Sequence, residues 1–145
     1  MSRRNARENA FKIIFASTDS ADEKLLEDFF NGEKDSELWS GKAPEEDDKA
    51  YIKRACIGVM EQREDIDKTI EKYLENWTID RINRVCLAAM RLAVYEMKNL
   101  KGIPFKVSAS EAVEIVKKYA GPKEAKFVNG VLGKFIKNEL DEQEK

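Results

Sequence analysis

The sequence contains no histidine. That single absence removes Ser-His, Cys-His and His-metal chemistry together. Its two cysteines, Cys56 and Cys86, stand too far apart for a metal knuckle. Both fall within apolar helical patterns, which reads them as reduced core residues. Three prolines and seven glycines are sparse punctuation for 145 residues, and they leave long stretches free for helix. No strand alternation, glycine-rich phosphate loop, heptad array or internal repeat is present. Without a signal peptide or a membrane-length apolar run, the expectation is a cytoplasmic protein with no membrane role. No metal or cofactor is called for.

What is present is charge and helix-forming residues. With 37% charged and 42% hydrophobic residues, the chain reads as one all-α domain, able to bury roughly two thirds of its unfolded surface. The stretch 77–97, WTIDRINRVCLAAMRLAVYEM, is its organising element. From Val85 to Met97 only Arg91, Glu96 and the Tyr95 hydroxyl interrupt the apolar cover. A helix apolar nearly all round is enclosed by neighbours. An unpaired guanidinium inside it would be prohibitive. Arg91 is therefore expected to pair with a carboxylate, Glu111 or Glu114 leading, or to reach the surface along its stem.

Net charge of −2 conceals an asymmetry. Across residues 19–48 twelve acids face three lysines, a net of −9, whereas residues 98–137 carry nine lysines against three acids, a net of +6. The N-terminus adds Arg3, Arg4, Arg7 and Lys12 against Glu8 alone. Basic ends around an acidic middle suit a polyanion if the fold unites them; solvated lysine-rich helices are the plainer alternative. Arginines at a helix start oppose its dipole, and Arg3, Arg4 and Arg7 have no apolar neighbours on their own face. Folding is expected to have little use for them, while phosphate does.

In chain order, the first helix carries Ala6, Ala10, Ile13 and Ile14, with Phe11 and Phe15 widening the face. A second is expected at 21–30, closed by Asn31-Gly32. A loop at 33–43 tucks in Leu38 and Trp39. Pro44 and the acids behind it start a third helix, with a break near 63–65 before a fourth. Gly102-Ile103-Pro104 ends the central helix. Ser108 with Glu111 then forms an S-x-x-E capping box, Val107 and Ala112 stapling it. Gly121-Pro122 stops that helix, and the last runs over about 123–140. Gly130 and Gly133 inside it cost about 1 kcal/mol each relative to alanine, for which close packing of a neighbouring helix is the expected reason. Residues 1–5 read as a basic arm and 141–145 as a frayed tail.

The segments RRNARENAFKIIFAS, WTIDRINRVCLAAMRLAVYEM, IPFKVSASEAVEIVKKYA and KFVNGVLGKFI together resemble the NusB family of bacterial transcription antitermination factors. The likeness covers nearly the whole chain and is weakest over 18–48. Its motifs are R-x-A-R-E, M-R-x-A-x-Y-E, E-A-V-E-x-x-K and K-F-V-N-G. The resemblance implies about seven helices in two small bundles and no catalysis. It also implies pairing with NusE, a small ribosomal subunit protein, on boxA-type nascent RNA. The assembly then acts within the transcription complex with RNA polymerase, supporting ribosomal RNA synthesis.

Carried onto this chain, the resemblance places RNA binding at Arg3, Arg4 and Arg7, and at Lys123, Lys126 and Phe127 around K-F-V-N-G. Phe127 has two readings, a ring stacked on a splayed base or a core residue beside Val128 and Val131. Asn129 orders the adjacent turn or bridges two helices. Two positions depart from the family pattern. Cys86-Leu87 stands where an acidic-basic pair is common, which withdraws charged NusE contacts there. Lys123 replaces a common acid, adding sequence-blind attraction for RNA. Other readings are a helical interaction module, with a homodimer among its forms, and an accessory domain of an RNA methyltransferase system.

Overall fold

The computed structural model describes residues 1–17, 26–28, 30 and 40–140. The expected loop with Leu38 and Trp39, most of the helix expected at 21–30, and the tail 141–145 lie outside the described residues. Of that helix, Leu26, Glu27, Asp28 and Phe30 are helical, and Leu26 is buried. Every regular element among the described residues is helical: α1 (Arg3–Ala16), α2 (Glu46–Glu71), α3 (Arg84–Asn99), α4 (Phe105–Ala120) and α5 (Pro122–Phe135). A 3-10 turn at Ile79–Arg81 precedes α3, and a π turn at Ile136–Leu140 follows α5. The chain divides into two units, Met1–Glu61 and Gln62–Lys145.

In the first unit α1 lies against the early turns of α2. Ser2 caps α1 by accepting a bond from the Asn5 amide at 3.0 Å, so the expected basic arm is helical from Arg3 onward. The Asp48 carboxylate reaches back to the Glu45 amide at 2.9 Å and also meets the α-amino group of Met1 at 3.2 Å. This is the reciprocal half of a capping box, with Glu46, Asp47 and Asp48 favouring the dipole. Apolar burial by Ala6, Ala10, Phe11, Ile13 and Ile14 is matched by Tyr51, Ile52, Ala55 and Val59. Asn9, wholly buried, both accepts from Ser40 N at 2.8 Å and donates to its carbonyl at 3.2 Å, pinning the backbone there. The next residue must be glycine. Gly41 has φ +80, and a Cβ there would lie 2.2 Å from Asn5 Nδ2.

The break expected near 63–65 does not occur: α2 runs unbroken from Glu46 to Glu71. Residues 62–68, QREDIDK, contain neither glycine nor proline, so nothing local stops the helix. What changes there is the unit, not the helix.

In the second unit α3 is enclosed as its composition demands. Ten of its residues are buried, with Leu92 at 2% and Val94 at 1% exposure though they point to different sides. Asn83 caps it, accepting from the Val85 and Cys86 amides at 2.8 and 3.3 Å. Arg91 does pair with a carboxylate, but Glu111 and Glu114 are not the partner. Asp67 of α2 takes it bidentately, Nε to Oδ1 and Nη2 to Oδ2, both 2.8 Å. Two parallel charge-assisted bonds satisfy the guanidinium fork better than a single contact would.

The capping box at Ser108 is likewise corrected. Helix α4 begins at Phe105 with Pro104 in the cap position and no side-chain cap. Ser108 sits a turn inside, buried, its hydroxyl 3.5 Å from the fully buried Glu96. The need to meet a buried carboxylate draws Ser108 inward, and proline supplies the start geometry. Gly121 makes the α4–α5 turn at φ +101, its amide donating to Val116 and Lys117 carbonyls, and Pro122 opens α5. The π turn is tied back by the Tyr73 hydroxyl donating to Glu139 at 2.6 Å.

Three outcomes test this frame. Leu92→Ala should cost roughly 2–5 kcal/mol; an unchanged thermal midpoint would place α3 at the surface. Asp67→Ala, which strands Arg91, should destabilise by about 1–3 kcal/mol and by more than Arg91→Met, as urea unfolding can compare. The bond to Glu139, with burial, pushes the Tyr73 hydroxyl from 10.0 up to about 12. Because the folded value is the higher, Tyr73 stabilises fully below pH 10, and that contribution disappears as pH rises towards about 12. Tyr73→Phe should remove this part of the alkaline stability loss.

Candidate nucleic-acid interface

The basic N-terminus is built on the first turns of α1, and its arginines are not equivalent. Arg3 and Arg4 are exposed. Arg3 also lies over the Tyr51 ring, its guanidinium carbon 4.2 Å from the centroid, a contact that orients the fork without neutralising it. Arg7 is buried, with 4% exposure. The expectation that folding has little use for Arg7 is therefore wrong. One turn into α1 the helix has rotated, and Arg7 shares a face with Ala10, Phe11 and Ile14, all buried. Glu8 and Asn9 beside it are buried too.

In the second unit, Lys123 and Lys126 are exposed on α5 and Phe127 is half-buried. Val128 is the true core residue of that turn. Phe127 lines a groove of about 400 Å³ with Tyr73, Trp77, Lys126, Gly130 and Lys134. Trp77, 53% exposed, is the most open aromatic on it. By sequence alone Trp77 belongs only to a turn before α3. Its signal is the lone large aromatic beside a turn, where Asn76 adopts the left-handed φ of 65. Lys134 is ion-paired with Glu75, which holds that carboxyl below its ordinary value. Uncompensated charge along α5 therefore comes chiefly from Lys123 and Lys126.

Gly130 and Gly133 do not admit a neighbouring helix. Both are exposed, and a Cβ at either would meet nothing within 4 Å. Each instead lines a groove, Gly130 the aromatic one and Gly133 another on the opposite flank of α5. Asn129 is exposed and lines the second. The family-divergent pair Cys86-Leu87 presents no charge: Cys86 is fully buried, its thiol 3.4 Å from Glu124 Oε2, and Leu87 is half-buried. Burial first, then the Glu124 carboxylate, pushes the Cys86 thiol up to about 12. Burial pushes the Cys56 thiol up as well, and both cysteines are free. Among the described residues no three metal-ligating side chains cluster, and no helix is long and apolar enough to cross a membrane.

Comparison with known proteins shows the family. The NusB family model matches residues 4–137. The transcription antitermination protein NusB of Clostridium botulinum is 40% identical over 143 residues, 94% of this chain and all of that one. Its counterpart in Acetivibrio thermocellus is 40% identical over 146 residues, covering 97% and 92%. Among solved structures, T. maritima NusB superposes with a TM-score of 0.77 at 30% identity, over 99% of this chain and 96% of that one. A structure of antitermination factors NusB and NusE in complex with dsRNA gives 0.72 at 30% identity, over 93% and 96%. A likeness that spans both units and every described helix is more than a shared motif, and this chain belongs to the NusB family of transcription antitermination proteins, which are not enzymes.

Proposed function

We propose that the chain binds boxA-type nascent RNA together with NusE and so supports ribosomal RNA transcription within the polymerase complex. The observation that carries this reading is the groove beside α5, where exposed Trp77 and half-buried Phe127 and Tyr73 stand with Lys126. Aromatic faces beside cations are what single-stranded nucleic acid needs, because each base stacks while its phosphate is neutralised. A relative of the same fold has been solved with NusE and dsRNA, which supports both partners. In the first unit Arg3 and Arg4 serve as phosphate contacts, and Arg7, buried, holds the turn that presents them. Lys123 adds backbone attraction of the sequence-blind kind.

The test is a salt series of RNA titrations, with and without NusE, on boxA-like and scrambled sequences. Arg3→Ala with Arg4→Ala should weaken both RNAs alike and flatten the salt slope by about one for each phosphate no longer neutralised, with stability lowered only by about the 0.5–1 kcal/mol of the Arg3–Tyr51 contact. Arg7→Ala should instead lower stability. Phe127→Ala and Trp77→Ala should each remove about 1–3 kcal/mol of stacking and erode the preference for boxA. Unchanged affinity and slope in the double arginine variant would remove the N-terminus from the interface. Light scattering on the same samples separates a monomer that takes up RNA from a homodimer.

A further inference from the structure

The second groove, floored by Gly133, has no part in that reading. It measures about 500 Å³ and lies between α4 and α5, lined by Lys106, Ala109, Val113, Gly133, Ile136 and Lys137. Its chemistry differs from that of the aromatic groove. Ala109, Val113 and Ile136 give it an aliphatic strip beside the polar Ser110 and Asn129, with no ring on which a base could stack. Three features mark it as a surface kept open for another molecule. Gly133 sits within α5 at a helix cost of about 1 kcal/mol, yet neither a left-handed φ nor a close neighbour requires glycine there. Its missing side chain serves only to deepen the groove. Lys106 lies in the first turn of α4, where no acid accompanies it and the dipole disfavours a cation. And because α4 and α5 run back on each other across the Gly121 turn, Lys106 and Lys137 both lie at one end of the groove, while Val113 and Asn129 mark the other.

We propose that this groove docks a short amphipathic helix of a protein partner, apolar on the seated face and acidic at its C-terminal end. Along α4 the groove spans Lys106 to Val113, two turns or about 10 Å, which is the separation of anchors at i and i+7 on an incoming helix. Its volume suits a few aliphatic side chains. The two lysines at that end complement both the carboxylates and the negative dipole end of such a helix. An RNA would leave the aliphatic strip unused, and a basic partner would be repelled.

The experiment uses the intact chain, labelled with nitrogen-15, and a synthetic amphipathic peptide with leucines at i, i+3, i+4 and i+7 and glutamates in its last turn. Expected are saturable amide shifts confined to Ala109, Val113, Gly133, Ile136 and their neighbours. Gly133→Leu fills the groove and should weaken the peptide by about tenfold or more while leaving the thermal midpoint unchanged or raised. Lys106→Glu with Lys137→Glu, both exposed, should abolish preference for the acidic peptide over one with lysines in the last turn. RNA titrations on Gly133→Leu, which alters no charge, should match the parent, so a failure here is distinct from a failure of the RNA reading. Shifts that fall elsewhere or not at all, binding indifferent to both variants, or a single-stranded RNA that moves the same amides in preference to the peptide would each overturn the proposal.

Discussion

A helix with almost no polar face must be surrounded, and the arrangement of the second unit follows from surrounding α3. Nine of its ten buried residues, all but Glu96, supply the apolar surface that α4 and α5 cover. The same helix carries two ionic groups, and each dictates a neighbour. Arg91 requires a carboxylate with room for a bidentate approach, which fixes the later turns of α2 through Asp67. Glu96, with no exposure, draws the Ser108 hydroxyl of α4 towards it. Desolvating either group without such partners would cost several kcal/mol. The neighbours of α3 are thus selected by two ionisable groups as well as by the hydrophobic effect.

This explains which parts of the molecule the amino-acid pattern discloses. Hydrophobic periodicity shows that α3 is enclosed and that Gly121-Pro122 is a turn, and it puts Phe127, Val128, Val131, Leu132, Phe135 and Ile136 on one side of α5, of which all but the half-buried Phe127 and Ile136 are buried, because each depends on residues near in sequence. It does not show which carboxylate meets Arg91. Asp67 lies 24 residues away on another helix, and Glu111 and Glu114 satisfy the same arithmetic of charge. The capping box is a real motif in the wrong role, overruled by the burial of Ser108. Arg7 is a different kind of miss. Its spacing from Ala10, Phe11 and Ile14 is visible in the sequence, but its charge points to solvent and its helical face to the core, and the face wins.

The candidate site divides along the same line. Lys123, Lys126 and Phe127 are nameable because a family motif marks them, and Arg3 and Arg4 because their charge opposes a helix dipole. Trp77, Tyr73 and Lys134 become visible only when the fold sets them on one groove. Lys134 also shows why counting lysines misleads. Its partner Glu75 cancels much of what it would offer a phosphate, so a net of +6 over residues 98–137 overstates the field at the groove.

The two glycines of α5 join these strands. Each lowers the intrinsic helicity of α5, and neither returns that cost through packing. Helical stability in a folded chain comes mainly from the buried face, and the face of Ala125, Val128, Val131, Leu132 and Phe135 is intact. That face allows the opposite side to be shaped by something other than stability. On one flank the gap at Gly130 adjoins rings and an exposed lysine; on the other, the gap at Gly133 adjoins aliphatic carbons and two lysines. A single helix therefore offers two concave surfaces of different chemistry. Substituting alanine at either position would strengthen α5 as a helix and make it less useful as a surface, and this conflict is the physical reason for a glycine that the fold itself does not need.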